Sequence, residues 1–368
     1  MIIRILAIIL GLSTSILHAE RWKMQFFHDE DNSAIAIHDL AFPSEKTGIA
    51  CGVLSAERSA KGIVLLTRDG GATWKRIEVQ EIPVSLHFLN ESTGFMVTTK
   101  GLWKTEERGL VWKKIKSWNF VQRVHFIDNL RGFALGPNRT FLATEDGGKN
   151  WTPVAEAKKL SATTNFYWAA FQGTNRGIVM GSSAAPRRRV ENQNLNLPEY
   201  LDPEAASKQR EWPHLSATLE TRDGGKTWAP QTAPIFGRMK RIRFVPEGLY
   251  GLSILQYEYA FEVPSEAYLF NWKTGKSESA YRAPERHIED VGFLSPSAGL
   301  LAVIERPGKM MQSPLPGKLK ILKASNLRSW IEMPVDYRAS GNRAMLAVVD
   351  ERNAWVALDT GMILKLEP

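Results

Sequence analysis

One cysteine, Cys51, stands in a chain of 368 residues, and that scarcity excludes two things at once. No internal disulfide can form, even in a compartment that would permit one. No Cys-rich zinc motif is possible, and no phosphate-binding Gly-rich loop or nucleophile elbow appears elsewhere. Cys51 itself lies in the apolar run Ile49-Ala50-Cys51, the setting of a small core residue rather than of a nucleophile. Long apolar runs are also missing. The longest opens the chain, from Ile5 to Leu17 behind Arg4, and is interrupted by Gly11 and Ser13-Thr14-Ser15. It is short for a bilayer span and has the layout of a secretory leader, with Ala19 as the small residue before the cut. Residues 1–19 are therefore expected to be a signal peptide, with an uncleaved anchor as the alternative. No Cys follows the run, which argues against a lipoprotein anchor. The expected location is periplasmic or secreted, and the protein is not expected to be integral to the membrane.

Acidic residues are in deficit: 39 Asp and Glu face 47 Lys and Arg, a net charge of +8. Such a balance favours an acidic partner or surface. Nucleic acid is not expected, because no zinc finger, helix-turn-helix or aromatic RNA-binding motif is present. Hydrophobic residues make up 43% of the chain, enough for a packed core.

What is abundant is one octet. Thr67-Arg68-Asp69-Gly70-Gly71-Ala72-Thr73-Trp74 returns as Thr144-Glu145-Asp146-Gly147-Gly148-Lys149-Asn150-Trp151 and as Thr221-Arg222-Asp223-Gly224-Gly225-Lys226-Thr227-Trp228. A worn copy, Thr105 to Trp112, keeps the first Thr, the Gly and the Trp. Gly reaches positive φ without strain, Asp bonds backbone amides nearby, and Trp is a plate that covers a hairpin. Each octet is read as the turn between two antiparallel strands, with Asp69, Gly71, Trp74, Asp146, Gly148, Trp151, Asp223, Gly225 and Trp228 as its structural residues. The competing reading makes the three Asp residues catalytic acids or calcium ligands. Neither a metal nor another cofactor is expected.

Around each octet lies a longer unit: a strand ending in an aromatic, a Gly-bounded apolar strand, a strand entering the octet, and one leaving it. Val121 to Phe126, Gly132 to Gly136, Thr140 to Ala143 and Thr152 to Val154 show it most clearly. Alternating side chains mark these as strands. Seven units follow, the first starting at Ile37 and the seventh at Ala344. Units five and six replace the octet with Asn271 to Gly275 and Ala324 to Trp330. The seventh has three strands only. Arg21-Trp22-Lys23-Met24-Gln25-Phe26-Phe27 resembles Thr73 to Val79 and supplies the missing fourth. The expectation is an all-β chain: a seven-bladed β-propeller of four-stranded antiparallel blades, a single domain over residues 20–368, closed by an N-terminal outer strand. An eight-bladed ring or an open array is the alternative.

The octets resemble the Asp-box, or BNR repeat, of sialidases, sortilin-type receptors and photosystem II assembly-factor-like proteins. Over most of the chain, and most clearly in Gly48 to Trp74 and Gly132 to Trp151, the repeat is similar to the photosystem II stability and assembly factor-like family. That resemblance implies a non-enzymatic propeller that binds a membrane-protein precursor on the export side of a membrane. A sialidase-like glycoside hydrolase is the competing class. Its arginine triad, paired Tyr and Glu and acidic donor are not met by Tyr257-Glu258-Tyr259, since adjacent strand residues face opposite ways.

Propeller topology puts the long inserts on the face away from the octets. They are Ser55 to Ala60, the 34 residues from Ser183 to Ser216 in unit four, and Arg306 to Gly317. Long loops on a rigid scaffold are where binding resides. The largest carries Arg187-Arg188-Arg189, read either as a basic partner-binding arm or as part of a solvated loop. In the innermost strands Leu40, Leu86, Val124, Ala169, Ile242, Val291 and Leu346 face the core. Between them stand Asp39, His87, Arg123, His125, Trp168, Arg241, Arg243 and Asp290. Several cations near one axis suit a carboxylate ligand, and inter-blade salt bridges are the alternative. The expected partner is a protein, a membrane-protein precursor or an acidic surface, bound by a monomer.

Overall fold

The computed structural model describes residues 20–57, 59–183, 214–235, 237–257, 263–306 and 315–368. The leader 1–19 and Arg187, Arg188 and Arg189 lie outside the described residues. Strand β1 is Arg21–Phe26. Blade 1 follows as β2 (Ser33–Ala41), β3 (Gly48–Ala56), β4 (Ser59–Thr67) and β5 (Lys75–Val79), and blade 2 as β6 (Pro83–Phe88), β7 (Gly94–Thr98), β8 (Gly101–Thr105) and β9 (Lys113–Ser117). Blade 3 comprises β10 (Arg123–Phe126), β11 (Gly132–Leu135), β12 (Phe141–Thr144) and β13 (Thr152–Pro153). Blade 4 comprises β14 (Asn165–Gln172), β15 (Arg176–Ser183), β16 (His214–Thr221) and β17 (Ala229–Ile235). Blade 5 is β18 (Gly237–Phe244), β19 (Tyr250–Tyr257), β20 (Ser265–Asn271) and β21 (Ser277–Arg282). Blade 6 is β22 (Arg286–Phe293), β23 (Gly299–Glu305), β24 (Gly317–Ala324) and β25 (Ile331–Met333), with the two-residue β26 (Ser340–Gly341) also on β24. Blade 7 is β27 (Ala344–Val348), β28 (Ala354–Leu358) and β29 (Ile363–Glu367), and its sheet runs β1-β29-β28-β27. The ring is a seven-bladed propeller closed by the N-terminal outer strand. No described helix is long and apolar enough to cross a membrane.

Closure rests on Trp22, buried to 1% exposure. It pairs with Leu366 on β29, and its amide donates to the Pro334 carbonyl of blade 6 at 2.8 Å. Its indole N–H points at Met333 Sδ, 3.4 Å away. One strand thereby ties blade 7 to blade 6.

Seven apolar clusters fill the seven seams between neighbouring blades. Six take in an outer-strand Trp: Trp74 between blades 7 and 1, Trp112, Trp151 and Trp228 at the next three seams, Trp330 between blades 5 and 6, and Trp22 between 6 and 7. In the blades that carry an octet, its turn sets the position of the indole that follows. In the first octet Thr67 Oγ1 donates to Asp69 Oδ1 at 2.8 Å, and the amides of Gly71 and Thr73 donate back to Thr67 Oγ1 and Asp69 Oδ1 at 2.9 Å each. The same lattice recurs at Asp146 and Asp223. Gly225 must be glycine: its φ is +88°, and a Cβ there would stand 2.2 Å from the Phe133 ring of the preceding blade. Trp151 and Trp228 close the turns by donating to the carbonyls of Gly148 and Gly225.

Candidate functional site: the basic mouth of the channel

The innermost strands of five blades carry a register shift near their start, at Ile37/Asp39, Pro83/Ser85, Phe166/Trp168, Met239/Arg241 and Ile288/Asp290. A bulge re-aims the residue it displaces. The five displaced residues, His38, Val84, Tyr167, Lys240 and Glu289, all line one cavity of about 800 Å³ at the end of the channel away from the octets. Three of them stitch the ring by reaching the carbonyl just before the next blade's bulge. His38 Nδ1 lies 2.7 Å from the Pro83 carbonyl, Tyr167 donates to that of Met239, and Lys240 Nζ donates to that of Ile288 at 3.4 Å.

Four of the residues after a bulge, Asp39, Trp168, Arg241 and Asp290, form a plug one layer deeper together with Arg123 and Arg243. Asp39 Oδ2 accepts the Leu86 amide at 3.0 Å and pairs with Arg123 at 3.1 Å. Asp290 Oδ2 accepts the Leu346 amide at 3.0 Å and pairs with Arg243 at 3.2 Å, while Arg241 Nε stands 3.5 Å from Oδ1. Trp168 donates to the Ile242 carbonyl at 2.8 Å and lies between two guanidiniums, that of Arg241 3.9 Å and that of Arg123 4.6 Å from its ring. Burial pushes the Asp290 carboxyl up, but Arg243 and Arg241 outweigh it and hold it below the usual range. Burial brings Arg241 down to about 10 against the pull of Asp290. In this plug Arg123, Arg241 and Arg243 are each matched to a carboxylate of another blade. The sequence reading of these arginines left anion binding and inter-blade pairing open, and the geometry is that of pairing.

Further charge sits above the plug, on residues the sequence reading did not single out. Arg238, Lys240, Arg306 and Arg343 line the mouth with Arg123 and Arg241, against one carboxylate, Glu289. Lys240 Nζ lies 2.6 Å from Glu289 Oε1. Arg238 donates to Gln256 Oε1 at 3.4 Å, and among the described residues neither it nor Arg343 has a carboxylate partner. The chain leaves this face at Ser183 and returns to it at His214. Cations in such excess around a concave mouth focus the field on an incoming anion.

The opposite, octet-side end of the channel is a funnel of about 420 Å³ with Phe42, Phe88, Phe171, Phe244 and Phe293 at its wall. His87 and His125 meet there, ring centroids 4.5 Å apart, and His125 stacks on Phe171. Burial lowers His87 to about 4 and holds His125 well below the ordinary imidazole value, so both are neutral near pH 7. A tyrosine–carboxylate pair does exist, but with a different partner from the adjacent Glu258. Tyr257 Oη donates to Glu266 Oε2 at 2.8 Å, alongside Tyr268 and Ser279, in the outer part of blade 5 and far from the plug. No group of three metal-ligating side chains occurs among the described residues.

No family model matches the sequence, and no curated protein matches it. Solved structures do. YCF48 from Cyanidioschyzon merolae is 14% identical, with 95% of this chain covering 99% of that one at a TM-score of 0.59. YCF48 bound to D1 peptide is 13% identical, with coverage of 93% and 99% and a TM-score of 0.58. Oligogalacturonate lyase from Vibrio parahaemolyticus is 9% identical, with coverage of 95% and 98% and a TM-score of 0.53. At such identities the likeness speaks for the fold, which binding proteins and enzymes share.

Proposed function

We propose that this protein is an exported, non-enzymatic scaffold, a monomer that holds an acidic segment of a membrane or envelope protein at the basic mouth. The observation that carries the reading is that Arg238 and Arg343, which pair with no carboxylate among the described residues, stand beside the Lys240–Glu289 pair in a cavity of about 800 Å³. A guanidinium cluster recognises carboxylates by paired, charge-assisted hydrogen bonds. The paired side chains of the plug lie below the mouth, so a bound segment rests on them. Two further points support the reading. The octets are similar to the Asp-box of assembly-factor-like propellers, and a propeller of the same fold, YCF48, has been captured with a D1 peptide. On this view residues 1–19 direct export, and Arg187, Arg188 and Arg189 extend the basic surface from the insert.

The test is a pull-down from envelope extract with wild type, with Arg238→Ser/Arg343→Ser, and with Arg187, Arg188 and Arg189 all replaced by Ser. Capture is expected to weaken as salt rises, because exposed charges are screened beyond about 8 Å at physiological ionic strength. Both variants are expected to slow association while melting as wild type does. Capture that ignores salt and both variants would remove the basic surface from the function. A sialoside assay runs in parallel, and turnover lost in Arg241→Ala would replace the scaffold with a hydrolase.

A further inference from the structure

The seam between blades 4 and 5 is built unlike the other six. Elsewhere the third strand of a blade turns apolar side chains to the next blade: Val64 and Leu66, Leu102, Phe141, Leu269, Leu319 and Ile321, and Ile363. On β16 the same positions are Ser216, Thr218 and Glu220. This seam also has the smallest apolar cluster, and no outer-strand Trp enters that cluster. Blade 5 lacks the octet. Its Trp272 sits at the rim, donating to the Gly248 carbonyl at 3.2 Å and stacked under the Arg176 guanidinium at 3.3 Å.

The result is a cleft of about 570 Å³ between the two sheets, inside the range of about 300–1,000 Å³ typical of small-molecule sites. Ser216 is 4% exposed, and its hydroxyl lines the cleft with no hydrogen-bond partner among the described residues. A buried hydroxyl left so destabilises the fold, a cost a ligand's own hydroxyl removes. Thr218 and Gln231 on blade 4 and Ser253 on blade 5 share the lining, with no side-chain hydrogen bond to a described residue. Phe270 and Ile242 give the cleft an apolar strip.

We propose that this cleft binds a small neutral saccharide. Neutral donors and acceptors on both walls match hydroxyls, the apolar strip takes the C–H face of a pyranose, and the Glu220 carboxylate accepts from a hydroxyl pair. Of the cations in the lining, Arg176 stacks on Trp272, and Arg222 and Lys273 are exposed at its outer edge; the half-buried and buried side chains deeper in, Ser216, Thr218 and Ser253, are neutral. The site lies in a seam, off the axis, and is independent of the mouth.

Saturation-transfer NMR and calorimetry with cellobiose, maltose and N-acetylglucosamine test the proposal. At least one sugar is expected to bind. Ser216→Ala/Thr218→Val and Gln231→Leu are each expected to weaken it by about tenfold or more, the loss of about one good hydrogen bond. The first variant trades an unpartnered hydroxyl for apolar contact, so it should melt no lower than wild type. Silence from all three sugars, or binding unchanged in both variants, overturns the proposal.

Discussion

Removing the Trp22 side chain tests the closure of the ring most directly. Trp22→Ala leaves the backbone pairing with β29 formally possible but empties a position buried to 1% exposure among Leu300, Ala302, Leu364 and Leu366. Truncating a buried Trp costs about 3–5 kcal/mol through lost transfer energy and the cavity left behind. The melting entropy of a chain of about 350 residues, at about 2.1 cal/mol/K per residue, is about 0.7 kcal/mol/K. The midpoint should therefore fall by about 4–7 °C. Phe27→Ala is the control, because Phe27 lies just past β1 and is 47% exposed. It should move the midpoint by less than about 1 °C, as surface changes do. Deleting residues 20–27 goes further: it uncovers the outer edge of β29 and should give a product that self-associates. Calorimetry and size-exclusion chromatography on the three proteins decide the matter. A Trp22→Ala midpoint within 1 °C of wild type, or a truncated chain that stays soluble and melts in one sharp transition, would refute the closure argument.

Acid should loosen the funnel. His87 titrates at about 4 when folded and near the ordinary 6.5 when unfolded, so the unfolded chain binds more protons between those values and stability falls as pH drops through them. From pH 7 to pH 4.5 the loss from His87 is about 2–3 kcal/mol. His125 adds in the same direction. The octet carboxylates Asp69, Asp146 and Asp223 titrate at about 2 and do not contribute in this window. Urea unfolding at both pH values should show a flatter profile for His87→Gln, and identical slopes would exclude the histidine as the cause. At the plug, Asp290→Ala strands Arg241, Arg243 and the Leu346 amide and should cost about 3–5 kcal/mol in urea unfolding, with Asp290→Asn losing less. A loss below about 1 kcal/mol would show that water already screens the pair.

The propeller was legible because its signals are local and repeated. The Asp-Gly-Gly turns, the Gly that opens each second strand and the copy of the outer strand at Arg21 to Phe27 each follow from backbone chemistry within a few residues. The mouth was not, and the reason is specific. Strict alternation does not hold in the innermost strands, whose buried apolar positions slip by one: Ile37 to Leu40, Phe166 to Ala169 and Ile288 to Val291 are each three apart. That slip is the imprint of the bulge, and it turns Lys240 and Glu289 to the lining of the mouth. The polar seam escaped notice for another reason. Ser216, Thr218 and Glu220 alternate as any half-solvated strand does, and only the facing sheet shows that they look inward.

The pairing of β1 with β29 also sets an order of events in time. Gln25 and Glu367, bonded side chain to side chain, lie 342 positions apart. Blades 1 to 6 are built from neighbouring hairpins and can form as the chain emerges. The seventh waits for the last strand to be synthesised and for the first to be still unpaired. Long separation adds little to the equilibrium cost, since each doubling of a loop adds about 0.6 kcal/mol, but non-local pairing is slow. The nascent ring therefore passes through a late, open, edge-exposed stage, when sequestration of Arg21 to Phe26 by any chaperone or neighbouring chain would hold the protein short of its native state.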